Sequence, residues 1–321
     1  MPTSSLTIAV HERFLAELKA ALPAGHTVRS FGAESDAAMA ALLSDADVLV
    51  WGAYKAAWRD PRGCRLRLVH STGAGVDGID FAGLPPGCTV CNVYGHEYGV
   101  AEQAFLLMLA LGRDLFGLDA ALRRGDWTPQ RPYLPELRGR SLLVLGLGHI
   151  GRQLVRWGQF VGMNVRVLTR TPEKSRGEAP GVPVHGLDQL HDALPEADFV
   201  VVAIPAVTTT LGLLGAREFQ RMKPTAFVVN VGRGPVIDED ALYEALRMRT
   251  IAGAGLDVWY QYPAPGQNLL PSRRPFHELS NVIMTPHKPT VETMAYRWGA
   301  IAENIRRLAA GDPLERIVPA P

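Results

Sequence analysis

Short apolar runs recur along the chain, interspersed with stretches of helical periodicity. In the first hundred residues the runs at 7–10, 47–51, 66–70 and 89–93 have strand character, while 12–21 and 37–43 show helical periodicity. Strands alternating with helices predict a parallel sheet covered on both faces. Residues 100–124 read as one long helical segment with few polar positions in its first half, which predicts burial on several sides. The stretch 125–138, rich in Pro, Arg and Trp, reads as a boundary loop. A second series of strands runs through 142–145, 165–168, 199–204, 226–231, 253–257 and 282–285. The predicted fold class is α/β, with two doubly wound parallel-sheet domains. Residues 258–280 are Pro-rich and aperiodic, and long connections of this kind tend to be functional. A helical pattern over 293–309 suits either domain by position.

One strand carries a chemical signal. The run at 142–145 leads into Gly146-Leu-Gly-His-Ile-Gly151, and a helical pattern and a further strand follow. Gly146 permits a tight turn, Gly148 lets backbone approach a pyrophosphate, and Gly151 lets the helix pack close to the strand. The helix N-terminus then offers free N–H groups and a positive dipole end to phosphates. A dinucleotide cofactor is expected here. In NAD-binding sheets an acidic residue ends the second strand and accepts from the adenosine ribose. That place falls at Thr169, followed by Arg170, with Lys174 and Arg176 close behind. A guanidinium pairs with the 2′-phosphate of NADP in bidentate fashion, so NADP(H) is favoured over NAD(H).

Composition narrows the remaining classes. The chain has 321 residues, 47% hydrophobic and 20% charged, with net charge +1. That describes a globular protein with no general pull towards nucleic acid or anionic membrane, and neither partner is expected. Cys64, Cys88 and Cys91 are few and odd in number, which fits a reducing compartment. Cys88-Thr-Val-Cys91 lacks a second ligand pair and reads as strand, so no metal is expected. The first strand begins too early for a signal peptide, and the apolar stretch 105–111 is too short to span a bilayer. A cytoplasmic location is expected.

Three further segments follow strands of the second series: Asn230-Val-Gly-Arg233, Asp257 with the residues up to Tyr262, and Thr285-Pro-His287. Ligands of open α/β sheets bind beyond the carboxyl ends of strands. An Arg there can clamp a carboxylate, and a His can exchange a proton with a hydroxyl or carbonyl. With these segments the chain resembles the D-isomer-specific 2-hydroxyacid dehydrogenase family over essentially its whole length. The matching stretches are Ser71-Thr-Gly-Ala-Gly-Val-Asp77, Val100-Ala-Glu102, the glycine loop, Asn230-Val-Gly-Arg-Gly-Pro-Val-Ile-Asp238, Leu256-Asp257-Val258 and Thr285-Pro-His287, in family order and spacing.

The resemblance implies a Rossmann cofactor domain, residues 101–289, inserted into a flavodoxin-like substrate domain of residues 1–100 plus 290–321, with a cleft that closes on substrate. It implies hydride transfer between the nicotinamide and a small 2-keto or D-2-hydroxy acid. Arg233 is then expected to hold the substrate carboxylate and polarise the carbonyl, and His287 to act as general acid and base. Thr72, Gly73, Ala74 and Gly75 would give N–H donors to the carboxylate, with Tyr54 beside the substrate. Asp257 would hold the carboxamide. His149, Ile150, Pro205, Thr210, Val231 and Gly232 complete the expected cofactor contacts, and a homodimer is expected.

Two departures stand out. Family members carry a Glu, paired with the His, where this chain has Tyr262. A carboxylate raises the His pKa, whereas a neutral phenol does so weakly. After the His, the chain continues Lys288-Pro-Thr in place of a small Gly-containing turn. His96, Glu97 and Tyr98 are weaker pocket candidates. The aromatic residues Trp51, Tyr54, Trp58, Trp259 and Tyr260 suggest a pocket larger than glyoxylate needs. The leading reading is an NADPH-dependent 2-keto acid reductase. Oxidation of a small anion such as formate or phosphite, and a non-catalytic nucleotide-sensing protein, are the alternatives.

Overall fold

Strands and helices alternate from the start of the chain: β1 (Thr7–His11), α1 (Leu15–Ala21), β2 (Thr27–Phe31), α2 (Asp36–Leu43), β3 (Val48–Val50), β4 (Ala53–Tyr54), β5 (Leu68–His70), β6 (Gly78–Ile79) and β7 (Thr89–Cys91). The computed structural model describes residues 4–60, 63–95, 97–128, 134–263, 267–287 and 291–320. Its two compact units are Met1–His96 with Thr290–Pro321, and Glu97–Pro289. In the first unit the main sheet has the order β2-β1-β3-β5-β7, with every pairing parallel. Parallel strands need crossover helices, which cover both faces of the sheet.

The second unit contains α3 (Glu97–Gly112), α4 (Leu115–Arg123), β8 (Ser141–Leu145), α5 (His149–Phe160), β9 (Asn164–Thr169), α6 (Pro172–Ser175), β10 (Val184–Gly186), α7 (Leu190–Ala193), β11 (Phe199–Val202), α8 (Ala216–Arg221), β12 (Phe227–Asn230), α9 (Glu239–Arg247), β13 (Gly253–Leu256) and β14 (Val282–Met284). Its sheet runs β10-β9-β8-β11-β12-β13-β14, again all parallel. The order turns back between β8 and β11, the arrangement of a Rossmann fold. Val200, Val201 and Val202 of β11 and Val228 and Val229 of β12 are each 0% exposed. Full burial of such a side chain contributes about 1.5–3 kcal/mol, which explains why these central strands read as continuous apolar runs.

α10 (Val291–Ala310) belongs to the first unit, where Trp298, Ile301 and Ile305 pack with Ile8, Val10, Val48 and Leu68. That settles the placement its periodicity left open. The expected single helix over 100–124 is two helices. Asp114 takes a left-handed conformation, φ +46°, and its N–H bonds the Leu111 carbonyl, closing α3 before α4 begins. Burial of α3 is also one-sided: Ala101, Ala104, Leu107 and Met108 are inside, while Leu106 and Leu109 are 53% and 40% exposed. Among the described residues no helix is long and apolar enough to cross a membrane. Burial pushes the Cys88 thiol up to about 12 and Cys91 up to about 11, so both are packed, protonated side chains at neutral pH.

Candidate active site

The glycine loop is shaped by contacts that exclude any side chain. Gly146 sits at φ +103°, and a Cβ there would stand 2.7 Å from the Ala203 carbonyl oxygen. A Cβ on Gly151 would overlap the Gly146 carbonyl oxygen. Gly148 is different, because a Cβ there would meet nothing within 4 Å. It caps α5 without any side-chain hydrogen bond. The loop therefore leaves open space in front of an uncapped helix N-terminus, and both the space and the helix dipole suit a pyrophosphate. His149 and Ile150 begin that helix.

Around this cradle, Thr169 ends β9 at 8% exposure, and Arg170 follows it into solvent. Neither Arg170 nor Lys174 pairs with a carboxylate among the described residues. The side chain of Arg176 lies outside them. Pro205 stands exposed after β11. Thr210 departs from expectation, being 3% exposed. Its hydroxyl donates to the Pro205 carbonyl at 2.7 Å and accepts from the Val207 N–H at 2.9 Å. The hydroxyl is consumed in closing that turn, so Thr210 shapes the loop instead of facing a ligand. Val231 and Gly232 are buried backbone; a Cβ on Gly232 would stand 2.6 Å from the Ile204 carbonyl oxygen.

Beyond the ends of β12, β13 and β14 the ionisable residues gather. Asn230, 1% exposed, accepts from the Gly232 N–H at 3.1 Å and donates to the Arg233 carbonyl at 3.0 Å. This brace sets the turn that carries Arg233, whose Nη1 donates to the Gly232 carbonyl at 2.8 Å. Asp257, 4% exposed, accepts from the Thr285 hydroxyl at 2.6 Å, and Gln103 of α3 donates to the same hydroxyl at 3.3 Å. Trp259 ties the two loops together. Its indole N–H donates to the Thr285 carbonyl at 2.8 Å, and its backbone N–H donates to the Tyr262 oxygen at 3.1 Å.

The Tyr262 oxygen then lies 3.2 Å from Nδ1 of His287. His287 itself has φ +53°, a conformation that costs a non-glycine residue energy and is held here by its surroundings. Desolvation pushes its pKa below the ordinary histidine value; Asp257 opposes that shift, and Arg233 adds to it. Desolvation raises the Tyr262 phenol, with the Trp259 N–H and Arg233 opposing.

In the first unit, residues 72–75 follow β5 as a loop with its carbonyls tied inward. Asn92 donates to the Ala74 carbonyl at 2.9 Å, Val93 N–H to Gly73 at 3.1 Å, and the Ser71 hydroxyl to Gly75 at 2.8 Å. The N–H groups of Thr72, Ala74 and Gly75 have no acceptor among the described residues, which is what an anion-binding loop requires. Behind it His70, 0% exposed, bonds the Ser71 carbonyl through Nδ1 at 3.0 Å and Asn304 through Nε2 at 3.0 Å. Burial pushes its pKa down to about 4, so this His is a neutral brace.

Several expected pocket residues lie elsewhere. Tyr54 is 1% exposed and edge-on to Trp58 at 6.1 Å, part of the core and not of a substrate surface. Trp58 and Trp259 are 7% and 5% exposed, so these aromatics fill cores and do not enlarge a pocket. Tyr98 packs edge-on to Trp157 at 5.0 Å. His96, Lys288 and Pro289 lie outside the described residues. Asn92, buried, and Gln103, half-buried, act as positioning residues that no periodic signal in the sequence marks. Trp259, expected as a pocket ring, instead binds the two loops together.

Together these features define a Rossmann dinucleotide fold with an arginine, a histidine and a tyrosine at the carboxyl edge of its sheet. The family model described as "D-isomer specific 2-hydroxyacid dehydrogenase, NAD binding domain" matches residues 105–288, and the chain belongs to that family. A D-3-phosphoglycerate dehydrogenase of Methanocaldococcus jannaschii is 35% identical over 285 residues, 87% of this chain and 53% of the relative. A glyoxylate reductase of Korarchaeum cryptofilum is 32% identical over 256 residues, 77% and 74% of the two chains. The solved NADPH-dependent glyoxylate/hydroxypyruvate reductase of Sinorhizobium meliloti, in complex with NADP and malonate, superposes with TM-score 0.83 at 28% identity, covering 98% of this chain and 97% of that one. The chain spans about half the length of the phosphoglycerate dehydrogenases it matches, 46–53% of each.

Proposed function

We propose that the chain is a 2-keto acid reductase that uses NADPH in preference to NADH and forms D-2-hydroxy acids. The observation that carries this reading is the 3.2 Å approach of Tyr262 to His287 Nδ1, at the carboxyl edge of the sheet that also bears the glycine cradle. The residues fit the nicotinamide cofactor: Gly148 leaves room for the pyrophosphate, and Asp257 accepts from the carboxamide. Thr169 and Arg170 take the 2′-phosphate, where a carboxylate would repel it. When bound, the cofactor supplies the hydride.

Arg233 holds the carboxylate of the keto acid and polarises its carbonyl. In the first unit, the N–H groups of Thr72, Ala74 and Gly75 are the donors offered to a carboxylate, whereas the Gly73 N–H, expected to join them, donates to the Ser71 hydroxyl at 3.3 Å. His287 gives a proton from Nε2 to the carbonyl oxygen. Tyr262 suits both protonation states of the ring. Its O–H donates to Nδ1 of neutral His287, and its oxygen accepts from Nδ1–H of the imidazolium. A carboxylate can only accept, and it would hold the imidazolium far more strongly. Reduction needs the imidazolium, so with a depressed pKa its rate falls as pH rises through a value below the ordinary 6.5.

The units correspond to a substrate domain and an inserted cofactor domain. The exposed apolar residues Leu106, Leu109, Leu115, Phe116 and Leu122 on α3 and α4 support a homodimer. A cytoplasmic location accords with the cysteine usage.

The test mixes the protein with NADPH or NADH and a panel of 2-keto acids at several pH values, following loss of nicotinamide absorbance. Turnover with NADPH in clear excess over NADH is expected. No turnover with any keto acid overturns the reading. Tight NADPH binding alongside that result would mark a nucleotide sensor, and NAD reduction by formate or phosphite would mark small-anion oxidation.

A further inference from the structure

The carboxyl edge of the first unit's sheet carries positive charge that the proposed reaction does not use. The strand order turns back between β1 and β3, and open α/β sheets bind ligands beyond such a point. Arg13 follows β1. Its guanidinium lies 4.4 Å from the Phe14 ring centre and 4.7 Å from that of Trp51, which follows β3. Phe14 packs against Trp298 of α10, with ring centres 5.2 Å apart. Arg297, next to Trp298, is half-buried and makes no ion pair or hydrogen bond among the described residues. Its Nε and the Trp298 Nε1 are shielded from solvent and have no acceptor among the described residues. The carboxylate beside Arg13, Glu12, is turned against Gly32, with Oε1 3.2 Å from where a Cβ there would stand.

Two guanidiniums, that of Arg13 set over two aromatic rings and that of Arg297 half-buried, with no carboxylate paired to either among the described residues, form an unfilled demand for an anion. Desolvation lowers both, and the charge of Arg13 lowers Arg297 further, so each gains from a negative partner. We propose that Arg13 and Arg297 form a subsite for the second acidic group, carboxylate or phosphate, of a dianionic 2-keto acid. This rests on the keto acid reading above. The donor loop at 72–75 follows β5, on the same edge. Only β3 separates β1 from β5, so their carboxyl ends stand about 10 Å apart at ordinary strand spacing. A five-carbon diacid and the reach of an arginine side chain together cover that distance.

Kinetics with 2-oxoglutarate and 2-oxopentanoate test the subsite, because the two differ only in a terminal carboxylate against a methyl group. The wild-type kcat/KM should favour 2-oxoglutarate by about tenfold or more, carried in KM, the scale of a charge-assisted hydrogen bond. Arg297→Gln and Arg13→Gln should each collapse that ratio, and Arg297→Lys should restore part of it. Inorganic phosphate should compete with 2-oxoglutarate in wild type and do so about tenfold more weakly in Arg297→Gln. A wild-type ratio near one, or equal losses on both substrates in the variants, overturns the subsite. If neither keto acid is reduced, the failure belongs to the catalytic reading. Calorimetric titration of glutarate into wild type and Arg297→Gln then decides the subsite alone: binding lost in the variant supports it, and equal or absent binding overturns it.

Discussion

The glycine cradle after β8 and the Tyr262–His287 corner after β13 and β14 lie on the same edge of one sheet, yet they are built from different material. The cradle is backbone. At Gly146 and Gly151 its geometry requires the absence of a side chain, which contacts within the loop and with the neighbouring Ala203 enforce, while Gly148 keeps the space in front of the helix open. The corner is side chain. Its geometry depends on Trp259 bonding two loops at once and on a histidine held at φ +53°. Steric exclusion is nearly all-or-none, whereas a pair of titrating groups can be tuned. The corner is accordingly one place where this chain departs from what the resemblance leads one to expect, with the Tyr262 phenol in place of a carboxylate.

Substitutions can break or sharpen this contrast. The largest expected effect is at the corner: His287→Gln should lower kcat by about 10²–10⁴-fold, the usual worth of a positioned general acid. NADPH affinity should persist, as read by fluorescence titration beside steady-state kinetics. In the cradle, Gly151→Ala forces the new methyl group onto the Gly146 carbonyl oxygen. Overpacking of this kind costs about 1–3 kcal/mol, so the melting temperature should drop and NADPH binding should weaken about tenfold or more. Gly148→Ala should weaken NADPH binding with the melting temperature unchanged, because its Cβ enters only open space. Equal behaviour of the two alanine variants would dissolve the steric account.

Arg170→Ala should reduce the NADPH-to-NADH ratio of kcat/KM about tenfold or more, the scale of one charge-assisted contact. A smaller effect is expected for Tyr262→Glu. A carboxylate beside Nδ1 stabilises the imidazolium, so the alkaline limb of the reduction profile should move up by about one pH unit or more. A profile that overlays wild type would show that Tyr262 does not tune the histidine. The smallest effect is at Tyr54, whose buried hydroxyl has no partner among the described residues. Tyr54→Phe removes an unsatisfied group and should be neutral or stabilising by about 1 kcal/mol in a denaturant titration. A fall in kcat/KM for the same variant would return Tyr54 to the substrate site.

The legibility of the chain follows the same division. Buried parallel strands such as β11 and β12 read plainly, because both faces demand apolar residues. β2 was not anticipated. Its TVRSF sequence sits at the edge of the sheet with Arg29 and Ser30 exposed, and pairing with β1 alone defines it. The break at Asp114 has no proline to announce it. The aromatic residues of the early loops were legible as aromatic but not as buried, since a ring fills a core or lines a pocket equally well until its neighbours are placed.

The sequence by itself determined the alternation of strands and helices, the cradle at Gly146, Gly148 and Gly151, and the exchange of an acidic residue for Thr169-Arg170. These depend on local sterics and on the chemistry of adjacent residues. Only the tertiary structure decided that Tyr262 meets His287 across 25 positions, that Tyr54 and Thr210 turn inward, and that Arg13 and Arg297 come within electrostatic reach of each other with no carboxylate paired to either among the described residues. Those outcomes depend on which distant side chains arrive at the same place, and on how much water remains when they do.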